Sequence, residues 1–169
     1  MCRLYTVGQK VQTLPEGEPV LGVTSLADEV YVLRDQERDQ VEVYDVINYR
    51  LQRRLTVPNT CGFVDMTSCE HHRCVYVANS NDNYIYGLDV DVPGAGTWSC
   101  VNDTPNGLSV NAEHNVLVAC CEVGKIKEFS VRGVLVRELT MPDDVSRPAV
   151  VSSLCAMVAV MTQSTVCLR

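Results

Sequence analysis

No apolar run in this chain approaches the roughly 20 residues needed to span a bilayer. The longest one near the C-terminus, SSLCAMVAVM from Ser152, is too short and carries Ser153 and Cys155. The first residues, MCRLYTVGQKVQTLPEGEP, have no apolar h-region and do not read as a secretory signal. These absences predict a soluble protein in the cytoplasm, with no membrane partner.

Basic side chains are also few. There are 14 Lys and Arg against 21 Asp and Glu, a net charge of −7. Sequence-independent nucleic-acid binding needs cations to neutralise phosphates, so the balance argues against RNA or DNA. It leaves no polybasic patch for an anionic membrane. Catalytic signatures are missing too. There is no nucleophile elbow, and Gly22, Gly62 and Gly107 stand alone rather than forming a phosphate-cradling loop. No cofactor is expected.

Nine cysteines are present, an odd number, so they cannot all pair within one chain. Several sit in apolar runs: Cys120 follows VLVA, Cys155 precedes AMVAV, and Cys167 lies in TVCL. Reduced, buried thiols acting as small hydrophobes are the expectation.

What the chain does have is a repeat. VYVL at Val30, VYVA at Val75, VLVA at Val116 and MVAV at Met157 recur 45, 41 and 41 residues apart. Before each lies a short element: GVTSL, DMTSC, GLSVN, AVVSS. After each comes a polar loop and a further run: VEVYD, YIYGLD, KIKEFS, STVCLR. A fourth element follows in three copies: RLQRRLTV, TWSCVN, VLVRELTM. Runs of four to six residues, rich in Val, Tyr and Thr and bounded by Asn, Asp, Gly and Pro, are strands. Each copy is therefore a four-stranded unit. Its first two strands read as buried on both faces, and its last two as nearer a surface.

The expected fold is all-β: a β-propeller of about four four-stranded blades, in a single domain over 1–169. Complete blades fall at 19–60, 61–104 and 105–147. RLYTVGQKVQTLPEGEPV (Arg3–Val20) aligns with EFSVRGVLVRELTMPDDV (Glu128–Val145). Residues 1–18 thus read as the third and fourth strands of a split blade, and 148–169 as the first strands of a split or truncated one.

These residues resemble the NHL-repeat family of β-propellers, as in the C-terminal repeats of tripartite-motif/NHL proteins. PNGLSV is like its Pro-x-Gly-Ile/Leu opening, NVLVACCEVGKIKEFS like its strand–loop–strand, and VRGVLVREL like its Gly turn and last strand. WD-repeat propellers share the period, but no Trp-Asp pair occurs and the one Trp is Trp98. The resemblance implies about six blades, so the chain reads either as a small four-bladed ring or, preferably, as an incomplete propeller able to self-associate through open sheet edges.

The loops joining strands two and three, and one blade to the next, share a face. Asp35, Arg38, Asn81, Asp82, Glu122, Asp143 and Asp144 are its candidate binding residues. Acid outweighs base among these loops, so the leading expectation is a non-catalytic scaffold that presents an acidic face to a protein partner. Some family members bind structured RNA through basic and aromatic residues, and that is the second reading. Propeller lactonases and lyases, which the resemblance also brings in, line the axis with metal-binding Glu, Asp, Asn or His. Here the inner strands offer mainly Asp65, with Asn111 near a strand end, so an enzyme is the third reading.

CEHHRC holds the weak metal candidate Cys69, His71, His72 and Cys74. All four lie in one tight hairpin with non-standard spacing, so the reading preferred is a polar turn whose two Cys face each other. Cys120 and Cys121 sit beside Glu122, which disfavours a reactive thiolate.

Overall fold

The computed structural model describes residues 19–34, 40–58, 62–92 and 95–141. The two terminal segments assigned above to a split blade lie outside the described residues.

Among the described residues, twelve strands form three four-stranded antiparallel sheets, each in simple chain order. The first contains β1 (Val20–Leu26), β2 (Glu29–Arg34), β3 (Gln40–Asp45) and β4 (Leu51–Thr56). The second contains β5 (Phe63–Cys69), β6 (Cys74–Asn79), β7 (Tyr84–Asp89) and β8 (Ala95–Cys100). The third contains β9 (Gly107–Val110), β10 (Val116–Cys120), β11 (Lys125–Phe129) and β12 (Leu135–Thr140). A single turn of 3-10 helix, Cys121–Val123, breaks the strand pattern. The expected all-β, bladed architecture is what the chain adopts.

The sheets stand side by side, with β1, β5 and β9 as neighbouring inner strands. Alternation along each middle strand sends successive side chains into the two flanking seams. Tyr31, Leu33, Val41 and Val43 of the first blade meet Met66, Val75, Val77, Tyr86 and Leu88 of the second. Tyr76, Ala78 and Ile85 of the second meet Val116, Val118, Cys120 and Phe129 of the third. Val-rich strands serve this purpose because β-branched side chains are stiff and fill a pleated face.

Burial departs from the sequence expectation in one respect. The most enclosed strands are the second and third of each blade, not the first two: β2 and β3 are almost wholly buried, whereas β1 exposes Leu21, Val23 and Ser25. The innermost strand borders the axis on one side, while the two middle strands are flanked by sheet on both edges. Polar residues on the third strand, which suggested a surface, are instead buried in charge networks. Glu42 accepts from Arg34 (2.8 Å), Tyr44 (2.7 Å) and Arg54 (3.1 Å). Glu128 accepts from Asn111 (2.9 Å), Asn115 (2.7 Å) and Arg137 (2.5 Å).

The outer strand of each of the three described blades carries a bulge at an equivalent point. Val43 pairs with Arg53 but Tyr44 with Leu51, leaving Gln52 extra; Ile85 and Tyr86 skip Trp98, and Glu128 and Phe129 skip Val136. A bulge twists the strand and re-aims its extra side chain. For Trp98 this places the indole beside Tyr76 (4.8 Å) and Phe129 of the next blade (6.0 Å between ring centroids).

Candidate functional site

Loops at one end of the blades come from the turns between second and third strands and from the links between blades. In the second blade the turn is built by asparagines. Asn79 Oδ1 accepts the backbone N–H of Asn81 (2.9 Å) and of Asp82 (3.4 Å), and Asn83 adopts a positive φ of 61°. Short amide side chains bond their own backbone and tolerate that conformation, which is why Asn serves here. Ser80 then reaches across to the preceding interblade link, donating from N (2.7 Å) and Oγ (3.0 Å) to the Gly62 carbonyl. Gly62, at φ 93°, lies so close under Asn81 that a Cβ there would approach Asn81 Cγ to 2.4 Å. Asn81 is held outward, exposed.

Asp82 is only part-buried, and its carboxylate is engaged within the blade. Oδ1 accepts the Tyr84 N–H (3.0 Å) and Oδ2 the Tyr86 hydroxyl (2.6 Å). In the third blade the same tie recurs with other residues. Thr104 Oγ1, from the interblade link, donates to Glu122 Oε2 at 3.0 Å. Glu122 itself is exposed. Beneath these loops Lys127 is buried, 2.6 Å from Asp103 and 2.7 Å from the Val101 carbonyl. Burial would lower its ammonium pKa, but the Asp103 carboxylate outweighs this and raises it. Its charge is thus neutralised inside the blade. Of the candidate residues on this face, Asn81, Asp82 and Glu122 are brought to one end of adjoining blades; Asp35, Arg38, Asp143 and Asp144 lie outside the described residues.

The opposite end carries the first hairpin turns. Cys69 and Cys74 are directly opposed in the β5–β6 register and both are free thiols. Burial pushes the Cys74 thiol up to about 11, which keeps it protonated and unreactive at neutral pH. His71 and His72 turn to each other and to His114 of the next blade, while Tyr76 Oη lies 3.4 Å from His72 Nδ1. The candidate set Cys69, His71, His72 and Cys74 is not gathered: among the described residues no three His, Cys, Asp or Glu side chains are placed to hold a metal ion.

On the inner strands, Asp65 joins two blades. Its Oδ1 accepts the Met66 N–H and its Oδ2 the Leu108 N–H, both at 2.8 Å. Burial raises its carboxyl pKa in spite of those two bonds. Both oxygens are occupied by backbone, so Asp65 clamps β5 to the start of β9. Asn111, at the far end of β9, is buried on Glu128.

The family model described as the SMP-30/gluconolactonase/LRE-like region matches residues 30–154. The chain belongs to the SMP-30/gluconolactonase/LRE-like family. No curated protein matches the sequence. Solved structures share the fold at low identity. The Kuenenia stuttgartiensis hydrazine synthase structure aligns with TM-score 0.65 and 18% identity over 82% of this chain and 40% of that one. A streptogramin B lyase aligns with TM-score 0.62 and 15% identity, covering 73% and 41%. Virginiamycin B lyase from Staphylococcus aureus gives 0.60 and 12%, covering 73% and 42%. The likeness makes the three sheets blades of a β-propeller. The chain spans about two fifths of the length of these structures.

Two features of this SMP-30/gluconolactonase-like propeller escape a reading of the sequence by segments. One is Trp98, whose bulge position can be recognised only from strand register. The other is the stack of His71 on His114, whose rings lie 4.1 Å apart and within 2° of parallel. These two histidines occupy the same hairpin turn one repeat apart, so the repeat itself carried the signal.

Proposed function

We propose that this chain is a non-catalytic propeller scaffold, NHL-like in its blades, that binds a protein partner through the acidic loop face in the cytoplasm. One observation supports this most. Each turn of that face is bonded to the interblade link that enters its own blade, Ser80 to Gly62 and Glu122 to Thr104, which holds exposed Asn81 and Glu122 on a stiff frame. A preorganised polar face lowers the ordering cost of association. With Lys127 neutralised inside the blade, a partner with a basic surface is the complement.

The test is partner capture by the full chain and by an Asn81→Lys/Glu122→Gln variant that removes the exposed acid but leaves an acceptor for Thr104 and keeps the Asp82 and Asp103 ties intact. Loss of capture in the variant, with unchanged melting, is the expected result. Equal capture by both rules out this face.

A second reading is a propeller lactonase or lyase, favoured by the family match and by the lyase structures. Asp65 is the inner-strand carboxylate such a reading would use, and its two backbone donors leave it a clamp instead. Turnover of a lactone or of a streptogramin B that is lost in Asp65→Asn would establish this reading over the scaffold.

A further inference from the structure

The turns β5–β6 and β9–β10 meet at the end opposite the loop face, and all three histidines of the chain converge there. His71 and His114 stack at 4.1 Å. His72 stands edge-on to both, with centroids at 5.2 Å and 5.9 Å. Neither turn is free to relax. Arg73 and His114 hold positive φ of 49° and 64°, and each turn is closed by backbone bonds, Arg73 N–H to Glu70 O (3.2 Å) and His114 N–H to Asn111 O (3.0 Å).

We propose that His71, His72 and His114 form a pH-responsive clasp between the second and third blades, closed while the imidazoles are neutral and sprung when they take up protons. Neutral rings stack face to face with no electrostatic penalty. Two imidazolium ions at that separation repel, and a third lies against both.

The surrounding charges offer no relief. Glu70 is engaged elsewhere, accepting the Ala27 N–H at 3.3 Å. Arg73 is paired with Asp91 at 2.6 Å, and Asp89 lies near that pair. Glu113 is exposed on the facing turn. Glu128, beyond Asn111 and Asn115, is held by those amides and by Arg137. From β5 and β6 come the neutral groups Cys69, Cys74 and Tyr76. Among the described residues no carboxylate forms an ion pair with any of the three rings. Burial first, then His71 and His114, also hold His72 below the ordinary imidazole value.

The sign follows directly. A histidine whose folded pKa is depressed takes its proton more readily when unfolded. Stability is then full above the unfolded value of about 6.5 and falls as the pH drops below it.

Because the chain holds three histidines, every imidazole Cε1–H signal of the full chain reports on the clasp. The test titrates those signals between about pH 5 and pH 8, the range in which imidazole charges. It also measures urea unfolding at both ends, for the wild type and His114→Phe, which keeps a ring and removes a charge. The expected result is a His72 signal that titrates below the ordinary imidazole value. The unfolding constant of the wild type should rise as the pH falls from about 8 to about 5, and that of His114→Phe distinctly less. Three independent imidazoles at the ordinary value, or equal pH dependence in both proteins, would overturn the clasp. If His114→Phe does not fold, the wild-type titration decides alone.

Discussion

Trp98 of β8 donates its indole Nε1–H to the backbone carbonyl of Val131, 2.9 Å away in the hairpin turn of the next blade. The bond crosses the seam between the second and third blades. It closes a stack in which Trp98 touches Tyr76 on one side and Phe129 on the other. Trp98→Phe should keep much of the packing and lose the bond, costing about 1 kcal/mol. Trp98→Ala should cost roughly 2–4 kcal/mol, since a large part-buried ring is removed. Urea unfolding of the two variants checks the order, and equal losses would show that the hydrogen bond contributes nothing.

The same turn approaches β8 through Gly133. A Cβ at this position would sit 2.5 Å from the Trp98 carbonyl oxygen, and the backbone has φ 71°. Both the contact and the left-handed conformation exclude a side chain. Gly133→Ala is therefore expected to destabilise by about 2 kcal/mol or more, whereas Gly124→Ala, where the same region of φ holds but nothing lies within 4 Å, should cost about 1 kcal/mol. Thermal melts of the pair separate steric from conformational cost.

Two buried carboxylates set the acid limit of the fold. Burial by itself would raise Glu42, but bonds from Arg34, Tyr44 and Arg54 outweigh it and hold its pKa down. Glu128 is likewise held down, against burial, by Asn115, Arg137 and Asn111. A depressed folded pKa means stability that is present above the unfolded value, about 4.3, and lost as the pH falls through the folded one. Glu42→Gln should flatten the loss of stability below about pH 4.5 and weaken the protein at pH 7, where buried Arg34 loses the Glu42 carboxylate. Chemical denaturation across pH 3–7 measures both effects.

Thiol labelling offers a direct check on the cysteines. Cys100 is exposed, Cys69 and Cys120 are buried, and the Cys74 thiol is pushed up to about 11. Of these four, Cys100 should react with a maleimide first at neutral pH, with Cys69, Cys74 and Cys120 modified only on unfolding. Peptide mapping after a timed pulse reads the order; early modification of Cys74 contradicts the assigned burial.

The repeat was enough to place the blades, since strand runs in the primary structure report local alternation and turn chemistry. Phe63–Cys69, Cys74–Asn79 and the strands of the PNGLSV copy all fall where their Asn, Gly and His turns punctuate the chain. Asn81, Asp82 and Glu122 were legible as loop residues for the same reason. Their roles were not. Whether a carboxylate stays exposed, as Glu122 does, or bonds Tyr86, as Asp82 does, depends on a hydroxyl four residues away across a turn. Polar residues on the third strands misled the burial reading, because pairing partners such as Arg34 for Glu42 and Asp103 for Lys127 come from other strands and loops.

From its sequence alone this protein is a series of four-stranded units with short acidic loops. That follows because strand, turn and period are encoded within each forty-odd residues. Tertiary structure alone decided that Trp98 bridges two blades, that Asp65 clamps inner strands instead of facing the axis as a free acid, and that three histidines share one seam. Each of these depends on side chains from different repeats meeting in space, and the distance between neighbouring blades is set by packing that no single repeat contains.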